Sequence, residues 1–82
     1  MSKRTSLDIN NEILELCRTP QKRTNIVYKA NLNFKIVKKY LDNLVDNQLL
    51  KYDGRFYYTS LRGINVIDSI SKISHIIELV NI

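Results

Sequence analysis

Residues 31–50 read NLNFKIVKKYLDNLVDNQLL, and this stretch restricts the chain to folds built around one amphipathic helix. Phe34, Val37, Leu41 and Leu44 recur at helical spacing and form an apolar stripe. Asn33 stands directly before Phe34, where its side chain can accept an amide proton that a helix start leaves without a partner. Lys35, Lys38, Lys39, Asp42 and Asp46 fall mostly on the other side. One face is therefore expected in a core, while the other offers lysines to the outside. Asn47 is expected to end this helix in the left-handed conformation, and Leu50 to close the base of the core.

The segment before it predicts two further helices. Ile9, Ile13 and Leu16 give an apolar face to a helix from Leu7 to about Arg18, capped by Ser6 and helped by Leu7. Asp8 and Glu12 near its start and Arg18 at its end suit the helix dipole. Thr19-Pro20 stops it, because the residue before proline is pushed away from helical angles. Gln21 to Thr24 is a connector, with Thr24 as the cap of a short helix from Asn25 to Ala30. Ile26, Val27 and Ala30 are its inward residues, and Tyr28 and Lys29 its exposed ones. Such a short helix is unstable alone in water and must lean on the next. Asn31-Leu32 makes the turn, with Asn31 left-handed and Leu32 plugged into the core. Helix, short turn, amphipathic helix is the outline of a helix-turn-helix.

Beyond Leu50, Asp53-Gly54 is a strong local signal for a hairpin. It joins two predicted strands, Lys51 to Asp53 and Phe56 to Thr59. Phe56 and Tyr58 are placed inward, Tyr57 and Thr59 on the other side, and Arg55 at the tip. A two-stranded hairpin needs a helical platform. Three helices followed by a hairpin is the outline of a winged helix, with the hairpin as the wing. In the last segment Val66, Ile70, Ile73, Ile77 and Val80 are spaced four, three, four, three, a heptad seam. Ile64, Ile67 and Ile76 widen the stripe. Such a helix carries more apolar surface than one small domain covers, so it is expected to pair with a second copy, parallel or antiparallel. The resulting organisation is a basic, mobile lead at residues 1–6, a winged helix-turn-helix at 7–59 and a dimerisation helix at 60–82. The fold class is mainly α with a small β-hairpin.

With 82 residues the chain has material for one small core. Thirteen basic against eight acidic residues give a formal charge of +5, which permits a nucleic acid or another anionic surface as partner. Cys17 is the single cysteine and reads as a small buried hydrophobe, which fits a reducing, cytoplasmic compartment. The start is too polar for a signal peptide, and Asp68, Ser71, Lys72, Ser74 and Glu78 interrupt the last apolar segment, so no membrane span is expected. An enzyme is not expected either, and no cofactor is implied. His75 and Cys17 make no zinc set. Gly54 and Gly63, the only glycines, form no phosphate loop. Glu12 with Glu15, and Asp42 with Asp46, have the spacing of solvated helix faces.

The run RTNIVYKANLNFKIVKKYLDNLVDNQLL, from Arg23 to Leu50, followed by FYYTSLRG from Phe56 to Gly63, resembles the small archaeal winged-helix DNA-binding proteins. That group includes predicted transcriptional regulators and the 10a-type chromatin proteins, which pair through a C-terminal helix. YKANLNF, at Tyr28 to Phe34, is the most diagnostic piece. Thr59 and Gly63 match a threonine and glycine that open the helix after the wing in this group. The chain departs from the group in having Asn47 and Gln48 where a glycine usually ends the third helix. It also has Arg62 where a lysine is frequent, and a final helix shorter than in the longest relatives.

On this reading the third helix enters a major groove. Asn33, Lys35, Lys38 and Lys39 point toward the duplex, with Asn33 partly committed as the cap. Lys35 and Lys39 can reach guanine edges or phosphates. Asp42 is a solvent-side residue, a partner for Lys38 or Lys39, a cytosine reader, or a guard on helix depth. Lys22, Arg23 and Thr24 are expected to bind phosphate at the start of the second helix, with Tyr28 and Lys29 reaching the same strand. Arg55, with Tyr57 nearby, is the wing contact. Tyr40 and Tyr52 are half-buried supports. The expected protein is a homodimeric regulator binding double-stranded DNA, associated with the nucleoid. Sequence-independent packaging and a protein-binding winged helix are the alternatives.

Overall fold

The computed structural model describes the backbone of residues 4–80 and the side chains of residues 4–70. The chain runs through helix α1 (Ser6–Leu16), helix α2 (Arg23–Ala30), helix α3 (Phe34–Asp46), strands β1 (Leu50–Tyr52) and β2 (Tyr57–Thr59), and helix α4 (Leu61–Val80). This is the mainly helical class with one small antiparallel hairpin that the sequence predicts.

The start of α1 is fixed one residue earlier than expected. Thr5, not Ser6, is the cap: Thr5 Oγ1 accepts from the Asp8 amide at 3.1 Å, and Asp8 Oδ2 accepts from the Thr5 amide at 3.0 Å. This reciprocal pair satisfies two amide donors at once. The backbone hydrogen bond from Thr5, and then its hydroxyl, hold the Asp8 carboxyl below the usual carboxylate range. Ile9, Ile13, Leu14 and Cys17 turn inward, Leu16 is half-buried, and Leu7 is exposed. Arg18 clamps the end of α1 to Glu15 at 2.8 Å and to Asp68 of α4 at 3.0 Å.

α2 begins two residues before its expected start, with Lys22 rather than Thr24 at the cap position and no side chain capping it. The cause lies in the connector. Gln21 exchanges two backbone hydrogen bonds with Tyr57, at 2.9 and 2.8 Å, so the chain is pinned to β2 and turns helical directly afterwards. Asn31 closes α2 with φ 55°, as its sequence position implies, and Leu32 packs against the core. Asn33 then caps α3, its Oδ1 accepting from the Ile36 amide at 2.8 Å.

Within α3, Val37, Leu41 and Leu44 are buried, but Phe34 is 47% exposed. At the first helical position Phe34 overhangs the edge of the core instead of joining it. The left-handed residue after α3 is Gln48, with φ 62°, whereas Asn47 keeps φ −87°. The Gln48 amide donates to Val45 O and the Leu49 amide to Leu44 O, both at 3.0 Å. These two bonds satisfy terminal carbonyls of the helix and put the reversal one residue past the helix cap.

The hairpin pairs Leu50 with Thr59, Lys51 with Tyr58 and Tyr52 with Tyr57. Its loop is wider than a two-residue turn. Asp53 Oδ1 accepts from the amides of Arg55 at 2.9 Å and Phe56 at 2.7 Å, and Gly54 takes φ 95°. The facing of β2 is the reverse of that expected: Tyr57 and Thr59 are buried, and Phe56 and Tyr58 half-buried. Register explains it. Residues paired across an antiparallel ladder share a face, so Thr59 follows buried Leu50 inward and Tyr57 follows Thr59.

α4 leaves the hairpin through a tightly packed joint. The Gly63 amide donates to Ser60 Oγ at 3.0 Å, and that hydroxyl donates to Gln48 O at 2.8 Å. A side chain at Gly63 would collide with Leu49 O and stand 2.6 Å from Thr59 Cγ2. In the described part of α4, Gly63 and Ile67 are buried, with Ile64, Val66 and Ile70 half-buried beside them. Ile73, Ile77 and Val80, the rest of the predicted seam, have side chains outside the described residues. The core gathers residues of all four helices and both strands, from Ile9 and Ile13 to Leu50, Tyr57 and Ile67. Cys17 lies within it, and burial pushes its thiol up to about 12, which keeps it neutral and unreactive.

Candidate nucleic-acid interface

The start of α2 and the first turn of α3 come together at the corner where Arg23 meets Phe34. Lys22, Arg23 and Thr24 are exposed on the α2 side, and Lys35, Lys38 and Lys39 on the α3 side. Arg23 reaches across the corner, its guanidinium carbon 4.6 Å from the centre of the Phe34 ring. This geometry allows a cation–π attraction and holds the charge next to the helix start. Lys38 pairs with Asp42 at 2.8 Å, four residues on along the same helix. Asp42 therefore acts as the partner of Lys38, one of the roles open to it from sequence. Lys22, Arg23, Lys29, Lys35 and Lys39 make no ion pair among the described residues.

Other predicted site residues sit less close together. Tyr28 is 83% exposed and Lys29 is exposed, but both lie in the last turn of α2, away from its start. Asn33 Oδ1 is engaged by the Ile36 amide. Arg55 is exposed at the hairpin loop, its guanidinium 5.6 Å from the Phe56 ring centre.

Tyr57 is a correction. It was expected to face outward beside Arg55, and it is buried. Its ring stacks on Tyr52 with centroids 4.3 Å apart and planes 22° apart. Burial, first of all, raises the phenol above its ordinary value; the nearby cations Arg23 and Lys38 act against that, while Tyr52 and Asp42 reinforce it. Tyr57 thus ties the hairpin to the connector before α2, through Gln21, and borders a pocket with Asp42, Val45 and Asp46 of α3. Tyr52 takes the outward place on that side of the hairpin, 49% exposed, with its hydroxyl donating to Gly54 O at 2.9 Å.

A family model described as winged helix-turn-helix matches residues 3–78. The chain belongs to the winged helix-turn-helix family. No curated protein matches it. The winged helix-turn-helix is a DNA-binding domain type whose proteins are non-catalytic regulators, so membership supports a general DNA-binding, regulatory role and makes this chain a non-enzyme. Its helix-turn-helix is α2 with α3, and its wing is β1 with β2. Among the described residues no cluster of histidine, cysteine or carboxylate side chains is arranged to hold a metal. No described helix is long and apolar enough to cross a membrane.

Two exposed residues of this winged helix-turn-helix were not legible as surface. Phe34 was assigned to the core, and Ile36, 40% exposed, was assigned to neither face. Phe34 follows its cap residue directly, and that position carried a usable signal: the first residue of a helix lies at the rim of whatever the helix packs on.

Proposed function

We propose that this winged helix-turn-helix protein is a sequence-specific double-stranded DNA-binding regulator of transcription, acting at the nucleoid as a homodimer. The observation that carries the DNA surface is the cluster at the α2–α3 corner. Arg23, Lys35 and Lys39 stand exposed and without ion-pair partners among the described residues, on the two helices that a helix-turn-helix presents to DNA. Lys22, Thr24, Tyr28, Lys29 and Arg55 extend the contact to flanking phosphates, while Lys38 remains tied to Asp42 until a phosphate displaces it. Phosphate contacts supply most of the affinity, so binding weakens steeply with salt. The carboxylates of Asp42 and Asp46 on the lysine-bearing side favour selective recognition over coating of any duplex, since each acid must find a matching position or be repelled.

Support for the homodimer comes from α4, which runs to Val80 with Val66 and Ile70 only half-buried against their own domain. The heptad continues through Ile73, Ile77 and Val80. A pair of copies joined there holds two α3 helices at a fixed separation.

Titration of duplex DNA at low and moderate salt tests the surface. Binding at low salt that is lost on replacing Lys35, Lys38 and Lys39 supports it; binding indifferent to those replacements overturns it. Competition separates regulation from packaging: a selected duplex survives excess unrelated DNA only in the specific case. Solution mass before and after Ile73→Glu tests the pairing, and a wild-type monomer contradicts it.

A further inference from the structure

We infer that Phe34 is a specificity-determining residue that seats the C5-methyl group of a major-groove pyrimidine, thymine above all. This rests on the DNA-binding reading of the α2–α3 corner. The starting observation is a large aromatic ring left 47% exposed in the first turn of α3, where a core position was expected. An aromatic ring in water loses the stabilisation that burial brings. The ring is nevertheless held in place, because Arg23 stands over it at 4.6 Å. Lys22 is exposed next to Arg23 in the chain, and Lys35 and Lys38 are exposed on the same helix within four residues of the ring, so the surface carrying it is basic.

The chemistry of the duplex then narrows the contact. In a helix-turn-helix the N-terminal residues of the recognition helix meet base edges. The major-groove edges offer donors, acceptors and one apolar group, the thymine methyl, which phenylalanine can contact. A phenyl ring makes no hydrogen bond to the other edges. Asn33, which could read an adenine, has its side-chain oxygen engaged by the Ile36 amide at 2.8 Å. Ile36 is the other exposed apolar residue of this turn, but it lines a groove with Ser6 and Asn10 of α1 and Lys39 and Asp42 of α3, whereas Phe34 is the ring that Arg23 holds. Phe34 is therefore the apolar reader that lies beside the phosphate-binding cations. Arg23 acts as its positioning residue: when its charge meets a phosphate, it fixes the ring relative to the backbone of the same strand.

The test uses the full chain and a mixed-sequence duplex pool made in three forms: with thymine, with uracil replacing every thymine, and with uracil plus 5-methylcytosine replacing every cytosine. Uracil removes the methyl and leaves pairing intact. The wild-type chain is expected to bind the thymine pool about fourfold more tightly than the uracil pool for each methyl seated. The 5-methylcytosine pool recovers affinity. Phe34→Ala binds all three pools equally, and Phe34→Leu keeps part of the preference, with circular dichroism confirming that each variant is folded. Equal, salt-sensitive binding of the thymine and uracil pools by the wild-type chain overturns the inference and leaves DNA binding standing. So does a preference that survives Phe34→Ala. Failure of the wild-type chain to bind any pool at low salt is a separate result, which overturns the DNA-binding reading and this inference together.

Discussion

The joint between wing and α4 and the corner between α2 and α3 are both rich in polar residues, yet they use them in opposite ways. In the joint, Thr59 Oγ1 donates to Leu14 O at 2.6 Å, the Thr59 amide to Cys17 O at 2.8 Å and the Ser60 amide to Leu49 O at 3.0 Å. Thr59 and Ser60 are buried, and burial without partners would cost each group its hydration. At the corner, Lys35 and Lys39 point into solvent with no ion pair among the described residues. Polar groups of the first kind hold three elements together; those of the second kind are left for a ligand. Mutations should therefore separate cleanly, the joint changing stability and the corner changing affinity.

The largest effect is expected at Gly63. Alanine ordinarily gains about 1 kcal/mol over glycine inside a helix. Here its methyl would meet Leu49 O and stand 2.6 Å from Thr59 Cγ2, where backbone and a buried side chain must both give way. Overpacking of this kind costs about 3 kcal/mol and outweighs the helical gain. Gly63→Ala should lower the urea midpoint strongly or abolish folding; a more stable variant would show that the joint is not rigid. Next comes Thr59→Val, which keeps shape but removes the donor to Leu14 O. A loss of about 2 kcal/mol is expected from the stranded carbonyl, with DNA affinity unchanged once the chain is folded. A loss below a few tenths would mean that water reaches the joint.

At the corner the pattern should invert. Lys35→Ala with Lys39→Ala is expected to leave the melting curve within about 0.5 kcal/mol of wild type, as exposed substitutions do. Affinity at low salt should fall about tenfold, and the slope of log affinity against log salt should lessen by about 1.8 if both lysines meet phosphate. An unchanged slope with reduced affinity would assign them to base edges. A shift in stability equal to that at Thr59 would erase the distinction between the two regions.

The same contrast explains what the sequence made legible. Three helices, a hairpin and a long terminal helix were readable because their signals are local: Asn33 as a cap, Asn31 as a left-handed turn, Asp53-Gly54 as a reversal. The charged corner was readable because lysines leave a core on any account. Misreadings arose where a long-range constraint decided. The facing of Tyr57 depends on which residue pairs with Leu50, a matter of register that alternation within one short strand cannot fix. The early start of α2 depends on Gln21 meeting Tyr57, thirty-six positions away in the chain. Phe34 fitted the helical stripe by spacing, but the core ends before it. Gln48 rather than Asn47 turned left-handed because α3 keeps Asp46 as its last residue. At the site, the cations were legible and the aromatic ring among them was not, since periodicity alone assigns any apolar residue inward.

The smallest effect, and the one that resolves the corner most finely, belongs to Asp42→Asn. Its carboxylate holds Lys38 at 2.8 Å with both side chains more than half exposed. An exposed pair four residues apart contributes no more than about 0.5 kcal/mol, so the melting curve should barely move. The DNA affinity carries the information. If Asp42 only restrains Lys38, removing its charge frees a cation and removes a repulsion, and duplex binding should strengthen about twofold at low salt, less at moderate salt where charge is screened. If Asp42 instead accepts a hydrogen bond from a cytosine amino group, asparagine still offers an oxygen but without the charge, and binding to the selected duplex should weaken while binding to unrelated duplexes strengthens. Measuring both duplexes with one variant thus distinguishes restraint from reading. Strengthening on both would place Asp42 with the joint residues, whose polar groups are engaged within the protein, and weakening on the selected duplex alone would place it with the lysines.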